Sequence, residues 1–122
     1  MSLIRDLVKV KSLKKSLVPK VNIVELEGSQ ISVTMDLHQE IFEVRESETL
    51  EFIFGLEKPE YREGVDFCAR GVVAGFKKDE KGFRMIVSLW GFLVVVFPRD
   101  EKLFEGFTPT QDIYLCLKKV ES

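Results

Sequence analysis

Apolar residues recur at every second position in several short segments of this chain. From Ile31 to Met35 every second residue is apolar, and residues 50–54 and 113–117 repeat the pattern. Successive side chains of a β-strand point to opposite faces, so this period places the alternating apolar residues on one face. The alternation therefore predicts half-buried strands.

Further strand-like segments follow one another along the chain, separated by turn signals such as Gly28-Ser29, the charged residues 77–82 and Trp90-Gly91. Residues 37–48 and 103–107 show no clean period, and we expect them to be irregular, strand-like or briefly helical. The predicted strands are residues 7–13, 21–27, 31–36, 50–54, 67–76, 83–89, 92–97 and 112–119.

About eight short strands with a turn every eight to twelve or so residues predict an all-β fold, either a sandwich or a small barrel. A closed or partly open barrel is favoured because closure removes the sheet edge that Val94, Val95 and Val96 would otherwise expose. With 122 residues the chain has the length of one domain, which we place at residues 1–122. We see no internal sequence repeat.

The composition bears on location and class. Apolar residues make up 45% of the chain, enough for a core. The longest run without a charge, Met85 to Pro98, is shorter than the about 20 residues of a membrane-spanning helix. Arg5 and Asp6 stand where a secretory signal would be apolar. We therefore expect a cytoplasmic protein with no membrane partner.

The residues that commonly carry chemistry are sparse. Cys68 and Cys116 have no partners at metal-binding spacing, and we expect both to be reduced thiols. The single histidine, His38, shares a predicted strand face with Asp36 and Glu40, which we interpret as a polar edge rather than a metal site. No nucleophile and base, and no phosphate-binding glycine loop, can be assigned. We expect no cofactor, no small-molecule substrate and no enzymatic activity of the isolated chain.

Charge is unevenly distributed along the chain. Residues 1–20 carry six basic residues against Asp6 alone, a local net charge of +5, whereas residues 25–66 carry twelve acids against three basic residues, a local net charge of −9. The basic stretch could bind nucleic acid or an acidic partner, and the acidic stretch a basic one. The simpler interpretation is two solvated faces, since the pI of 5.5 is unlike that of a dedicated DNA-binding protein.

Two predicted strands are apolar on both faces. In residues 92–97 each face carries three apolar residues, and in residues 113–117 Tyr114 and Cys116 oppose three aliphatic residues. A barrel needs only its inner face to be apolar, so the outer face must be covered, either by a partner or by another layer of the same chain. The pattern leaves both alternatives open.

The second half of the chain resembles the eighth-subunit family of multisubunit RNA polymerases, whose archaeal members are called the G subunit. The resemblance rests on the order of four segments, residues 67–73, 87–93, 106–107 and 113–119, with weaker similarity around Met35-Asp36 and residues 41–44. Eukaryotic members carry a longer acidic insertion, for which the loop from Gly55 to Gly64 leaves no room. The archaeal branch fits better, in agreement with a composition that has few side-chain amides and many charges, as in thermophile proteins.

This resemblance implies an oligonucleotide/oligosaccharide-binding-like (OB-like) barrel that serves as a non-catalytic peripheral subunit. It would dock on the largest RNA polymerase subunit and support assembly, stability or modulation of transcription, with the active site on other subunits. We expect the glycines Gly71 and Gly91 to shape the backbone. For Trp90 a place in the core is an equal alternative. The residues expected at or near the interface are Arg70, Trp90, Phe92, Tyr114 and Lys118.

Two other functions remain open at this stage. The first is a free-standing OB-fold protein that binds single-stranded nucleic acid through the basic N-terminal stretch and through aromatic residues such as Phe67, Phe76 and Trp90. Weak contact with single-stranded nucleic acid within a polymerase is the milder form of this hypothesis. The second is a scaffold or adaptor for an unrelated assembly.

Overall fold

The computed structural model describes residues 3–120, so that four terminal residues of the predicted 1–122 domain lie outside the described part. The described chain forms strands and one short 3-10 helix, Glu101–Phe104, which confirms the all-β prediction. No helix within residues 3–120 has the length and apolar character that a membrane span requires. The strands are β1 (Leu3–Lys15), β2 (Val21–Gly28), β3 (Ile31–His38), β4 (Thr49–Gly55), β5 (Phe67–Asp79), β6 (Gly82–Leu89), β7 (Phe92–Pro98) and β8 (Asp112–Lys119).

All eight strands pair antiparallel into a closed barrel with the order β1-β2-β3-β7-β6-β5-β8-β4, and β4 pairs back to β1. Of the two predicted forms, the closed one is therefore the form that the chain adopts. Closure gives every strand a partner on both sides, and this is why the valine-rich β7 can lie in a sheet without an open edge.

The predicted alternation places one face of each strand inside the barrel. Ile31, Val33 and Met35 of β3 are buried, as are Leu50 and Phe52 of β4, and all belong to one continuous hydrophobic core. Burial of an apolar side chain at every second position of each strand is the main source of stability for such a sheet.

Two strands, β1 and β5, are longer than the sequence predicted. β1 begins at Leu3, pairs with β4 through Lys9 and with β2 from Val8 onward, and is bent by a bulge between Val10 and Ser12. β5 extends to Asp79, pairs with β8 and then with β6, and has a bulge between Val73 and Gly75. Each long strand therefore belongs to two parts of the barrel, and the bulge lets it turn the corner between them.

The barrel consists of two halves with the same connectivity, β1 to β4 and β5 to β8. Replacing each strand by its counterpart in the other half reproduces the same cyclic order, which is the order expected for a pseudo-two-fold relation. The sequence showed no repeat because strand pairing depends on backbone hydrogen bonds and an apolar inner face, and many different residues satisfy both.

Antiparallel pairing sorts the connections to two opposite ends of the barrel. At one end, called here the Trp90 end, lie the loops 16–20 and 39–48, the turn 90–91 and the end of β8. At the other, called here the Asp6 end, lie the start of β1, the turns 29–30 and 80–81 and the connection 99–111. The segment 56–66 crosses from the Asp6 end to the Trp90 end.

A buried phenylalanine from the third connection of each half closes each end. Phe42 packs near Phe67 at the Trp90 end, with ring centroids 6.2 Å apart, and Phe104 packs near Phe54 at the Asp6 end, with centroids 6.0 Å apart. Residues 39–48, which the sequence left irregular or strand-like, are turn and loop, and burial of Phe42 explains their apolar content.

The prediction of two reduced cysteines is wrong for this structure. Cys68 of β5 and Cys116 of β8 lie directly opposite each other, with their Cα atoms 4.1 Å apart, and form a disulfide. The two residues are separated by 48 positions in sequence. Only the register of β5 against β8 brings them together. The spacing of the two cysteines along the chain does not indicate that register.

Candidate docking surface

The exposed apolar side chains are concentrated at the Trp90 end. Nine large apolar residues of the described chain are exposed. Two of them, Leu7 and Val72, lie within the strands β1 and β5. Isolated exposed apolar residues are ordinary, whereas a concentration on one end of a small protein indicates a binding surface. The other seven, at the Trp90 end or next to it, are Leu17, Val18, Ile41, Val65, Trp90, Leu93 and Val120.

Trp90 is 86% exposed, so the alternative of a core tryptophan is wrong. It forms the two-residue turn between β6 and β7 with Gly91, and the φ angles of the two residues are 56° and 96°. Tight hairpin turns of this kind need positive φ at both central residues, which glycine adopts freely and a tryptophan does not. A strained, exposed aromatic residue at a turn suggests a role in binding.

An apolar groove of about 210 Å³ opens beside this turn. It lies between the end of β3, the loop after it, the start of β5 and the β6–β7 hairpin. The volume is below the about 300 to 1,000 Å³ of small-molecule pockets, so the groove suits a single apolar side chain of a partner. Its large apolar lining residues are Leu37, Ile41, Phe67, Leu89, Trp90 and Phe92.

Of the five residues predicted at an interface, Arg70, Trp90 and Phe92 line the groove or a depression next to it. Tyr114 and Lys118 line neither. Phe92 lines the groove with Trp90, and Arg70 contributes with Trp90 to a second depression next to it. Tyr114 is half-buried and pairs with Arg70 across β5 and β8. Lys118 lies apart from the groove, near Asp66 of the crossing segment.

Gly71 shapes the backbone below the Trp90 turn. A Cβ at this position would collide with the Ser88 carbonyl oxygen and the Leu89 side chain of the neighbouring β6. Any other residue would therefore push β6, and the turn that follows it, away from β5. Gly91 contributes in a different way, through the positive φ that the turn requires.

Asp66 closes a turn within the crossing segment where that segment reaches the Trp90 end. Its carboxylate is buried and accepts hydrogen bonds from the Arg62 backbone N–H at 2.9 Å and from the Arg62 guanidinium at 3.3 Å. Burial raises the pKa of Asp66, but these hydrogen bonds and the charges of Arg62 and Lys118 lower it by more, so the pKa lies below its ordinary value.

The two strands that are apolar on both faces are resolved differently. Cys116 of β8 and its partner Ile53 of β4 point away from the core yet are fully buried, and the crossing segment with its buried Pro59 supplies the second layer there. On β7, Leu93 is 50% exposed. The outward-facing Cys116 of β8 is thus covered, whereas Leu93 of β7 is exposed and the outward-facing Val95 and Phe97 are partly buried.

Part of the charge asymmetry is neutralised within the molecule. Arg5, Lys11 and Lys20 form ion pairs with Glu51, Glu27 and Glu40, at distances of 3.9, 3.1 and 2.7 Å. All three acids belong to the acidic stretch. Glu27 and Glu51 lie on β2 and β4, the two neighbours of β1, and Lys20 and Glu40 lie in loops at the Trp90 end. The basic and acidic stretches therefore meet in the folded chain.

Two of the three aromatic residues that the nucleic-acid hypothesis named pack against other aromatic rings of the chain. Phe67 packs near Phe42, and Phe76 stacks on Phe83 with ring centroids 5.7 Å apart. Both rings are partly buried. This leaves Trp90 as the exposed aromatic residue among those that the hypothesis named.

Asp36, His38 and Glu40 are each engaged elsewhere. Asp36 accepts a hydrogen bond from the Leu93 backbone N–H, His38 Nδ1 accepts one from the Glu40 backbone N–H, and the Glu40 carboxylate pairs with Lys20. Within residues 3–120 no group of three or more such side chains is placed to hold a metal ion.

Sequence reasoning missed the loop residues Leu17, Val18 and Ile41 of this surface. A signal was present, since Leu17-Val18 is an apolar pair in a predicted turn just before Pro19. Their gathering with Trp90 depends on the barrel order, which the sequence does not reveal.

Comparison with known proteins gives one family. The model of the family described as the G subunit of DNA-directed RNA polymerase matches residues 3–120. The chain is 28% identical over 114 residues to DNA-directed RNA polymerase subunit Rpo8 of Sulfolobus acidocaldarius, covering 91% of this chain and 93% of that protein. Among solved structures it is similar to the molybdate-bound cytoplasmic molybdate-binding protein ModG, with 11% identity, 94% and 89% coverage of the two chains and a TM-score of 0.38. A score this low does not establish a shared fold.

Proposed function

The chain belongs to the G-subunit family of DNA-directed RNA polymerases, and from that membership we propose that it is a peripheral, non-catalytic subunit that docks on the largest subunit. As a member of this family it is a component of the transcription machinery. Docking would support assembly and stability of the polymerase or modulate transcription, while the active site lies on other subunits.

The observation that carries the docking proposal is the apolar Trp90 end. Tryptophan is among the residues most enriched at the energetic centres of protein interfaces. Here it stands next to a groove sized for one partner side chain, with Leu93 exposed on the same hairpin and Arg70 beside it. Burying this surface against another subunit would remove apolar area from water that the isolated chain leaves exposed.

The non-catalytic role is supported by how the barrel is filled. Its interior is occupied by the aliphatic and aromatic side chains of the hydrophobic core. Asp6 and Asp66, the buried charged residues of the described chain, both have their carboxylates hydrogen-bonded within the structure.

The test is a binding measurement with the purified largest subunit. We expect Trp90→Ala to weaken binding about thirtyfold or more, as for an interface hot spot. The melting temperature of the isolated chain should hardly change, because the indole is 86% exposed.

The matched control is Leu7→Ala, which truncates another exposed large apolar residue away from the Trp90 end. It should bind as the wild type does. Equal affinity of the Trp90→Ala and wild-type chains would contradict the proposed surface, and failure of the wild-type chain to bind the largest subunit would contradict the proposed partner.

A further inference from the structure

The backbone pairing between β3 and β7 ends just before the groove. The last paired residues are Met35 and Val94. Beyond them, Leu37 still pairs with Asn22 of β2, whereas β7 reaches only to Phe92 before the turn. Leu37 and Phe92 then line opposite sides of the groove, so the groove is the gap that opens where the two strands separate.

One side-chain hydrogen bond joins the two strands at this point. Asp36 Oδ2 accepts a hydrogen bond from the Leu93 backbone N–H at 3.0 Å. Asp36 is the next residue of β3 after the last backbone pair, and Leu93 lies three residues after Trp90. The carboxylate therefore holds the β7 side of the hairpin at the place where the backbone ladder has stopped.

We propose that Asp36 is a positioning residue of the docking surface, which holds the β6–β7 hairpin so that Trp90 and the groove keep the geometry that a partner recognises. This inference rests on the proposed function. Trp90 is too exposed to be held by packing of its own ring, so its position depends on the backbone of the turn. That backbone is held by the pairing of Leu89 with Phe92, and the hydrogen bond to Asp36 is the further contact that ties the β7 side of the hairpin to β3.

At the Asp6 end of the barrel, an aspartate side chain holds a turn through several hydrogen bonds instead of one. There the buried Asp6 accepts hydrogen bonds from the Ser29 hydroxyl and from the backbone N–H groups of Gln30 and Ile31, which fastens the β2–β3 turn. A charged acceptor makes a stronger hydrogen bond than a neutral one. At the Trp90 end a single such bond from a half-buried residue holds the hairpin, and its loss should therefore act locally.

The first measurement uses the fact that the chain has a single tryptophan. Time-resolved fluorescence anisotropy of the isolated full-length chain then reports the motion of the Trp90 ring alone. We expect Asp36→Ala to lower the anisotropy of the slow phase, and Asp36→Asn, which keeps an acceptor oxygen, to lower it less. The control is Thr34→Ala, on the same outward face two residues earlier.

The second measurement is affinity for the purified largest subunit. Asp36→Ala should bind about fivefold more weakly than Thr34→Ala, the size expected for one solvent-accessible hydrogen bond. The melting temperatures of the two variants should agree. A lower melting temperature of Asp36→Ala alone would indicate a merely structural role.

The outcomes separate the two proposals. Anisotropy of Asp36→Ala equal to that of Thr34→Ala would overturn the positioning role whatever the partner is. A fall in anisotropy with unchanged affinity, when Trp90→Ala does weaken binding, would overturn its importance for docking. Unchanged binding of Trp90→Ala would instead overturn the proposed docking surface, while the anisotropy would still decide whether Asp36 holds the hairpin.

Discussion

The two ends of the barrel carry topologically equivalent two-residue turns that differ in how they are held. At the Asp6 end the Ser29-Gln30 turn is fastened by Asp6, and the Arg99 guanidinium donates a hydrogen bond to the Gly28 carbonyl oxygen. At the Trp90 end the equivalent turn carries an exposed indole and is joined to β3 by one hydrogen bond. We call the Asp6 end the closed end, because several hydrogen bonds fasten its turn, and the Trp90 end the open end, because its turn is exposed and is the surface that we propose for docking.

Gly28 shows how tightly the closed end is built. A Cβ at this position would lie 2.7 Å from the Leu7 carbonyl oxygen and would collide with the Asp6 carboxylate. At Gly91, on the open end, a Cβ would meet no atom within 4 Å, and only the positive φ favours glycine. In these two turns, glycine therefore permits close packing at Gly28 and a positive φ angle at Gly91.

The largest effect should come from breaking the closed end. Asp6→Ala removes the acceptor of three hydrogen bonds at a buried position and leaves two backbone N–H groups without it. We expect the free energy of unfolding to fall by about 3 kcal/mol, measured by denaturant titration.

The comparison variant is Asp36→Ala at the open end, which should lose much less stability. Equal losses for the two variants would mean that the two ends are fastened equally, and the contrast between them would fail.

A smaller effect should appear at low pH through Asp66, which closes a turn of the crossing segment at the Trp90 end. Its pKa is lower in the folded chain than in the unfolded one, so it contributes stability above the unfolded value of about 4, which is lost as the pH falls through the folded pKa. The melting temperature of Asp66→Asn should therefore fall less between pH 5 and about pH 2 than that of the wild type.

Glu60→Gln serves as the control for this pH series, because Glu60 is an exposed acid of the same crossing segment. Its profile should follow that of the wild type. If the profile of Asp66→Asn also follows that of the wild type, then ionised Asp66 does not stabilise the folded chain.

The smallest effect concerns weak contact with single-stranded nucleic acid. Lys14 and Lys15 end β1 at the Trp90 end, and both are exposed. If they contact phosphates, binding of a labelled oligonucleotide at low salt should weaken on changing both to Glu, and the slope of log affinity against log salt should fall by about 1 to 2.

Lys77→Glu with Lys78→Glu, on the part of β5 that runs to the Asp6 end, is the matched control for charge. Equal effects of the two double variants would indicate nonspecific attraction, and no binding by the wild type at low salt would remove nucleic acid from the description of the open end.

Much of the fold could be predicted because strand formation is a local property. The period-two pattern from Ile31 to Met35 and the glycine of the Trp90-Gly91 turn are sufficient to indicate a strand and a hairpin. The site was harder to predict. Trp90 and Phe92 were named because they belong to one hairpin that is apolar on both faces and carries the family resemblance, whereas Ile41 and Asp36 reach the same surface only because β3 lies beside β7.

The strands, the all-β class and the family could be read from the amino-acid sequence, since they follow from local patterns and from the order of motifs along the chain. Three other features came only from the folded chain: the barrel closes with β4 beside β1, Cys68 faces Cys116, and Trp90 lies outside the core. These features depend on contacts between residues that are far apart in sequence. Such contacts are selected by the packing of the whole chain, and no local pattern records them.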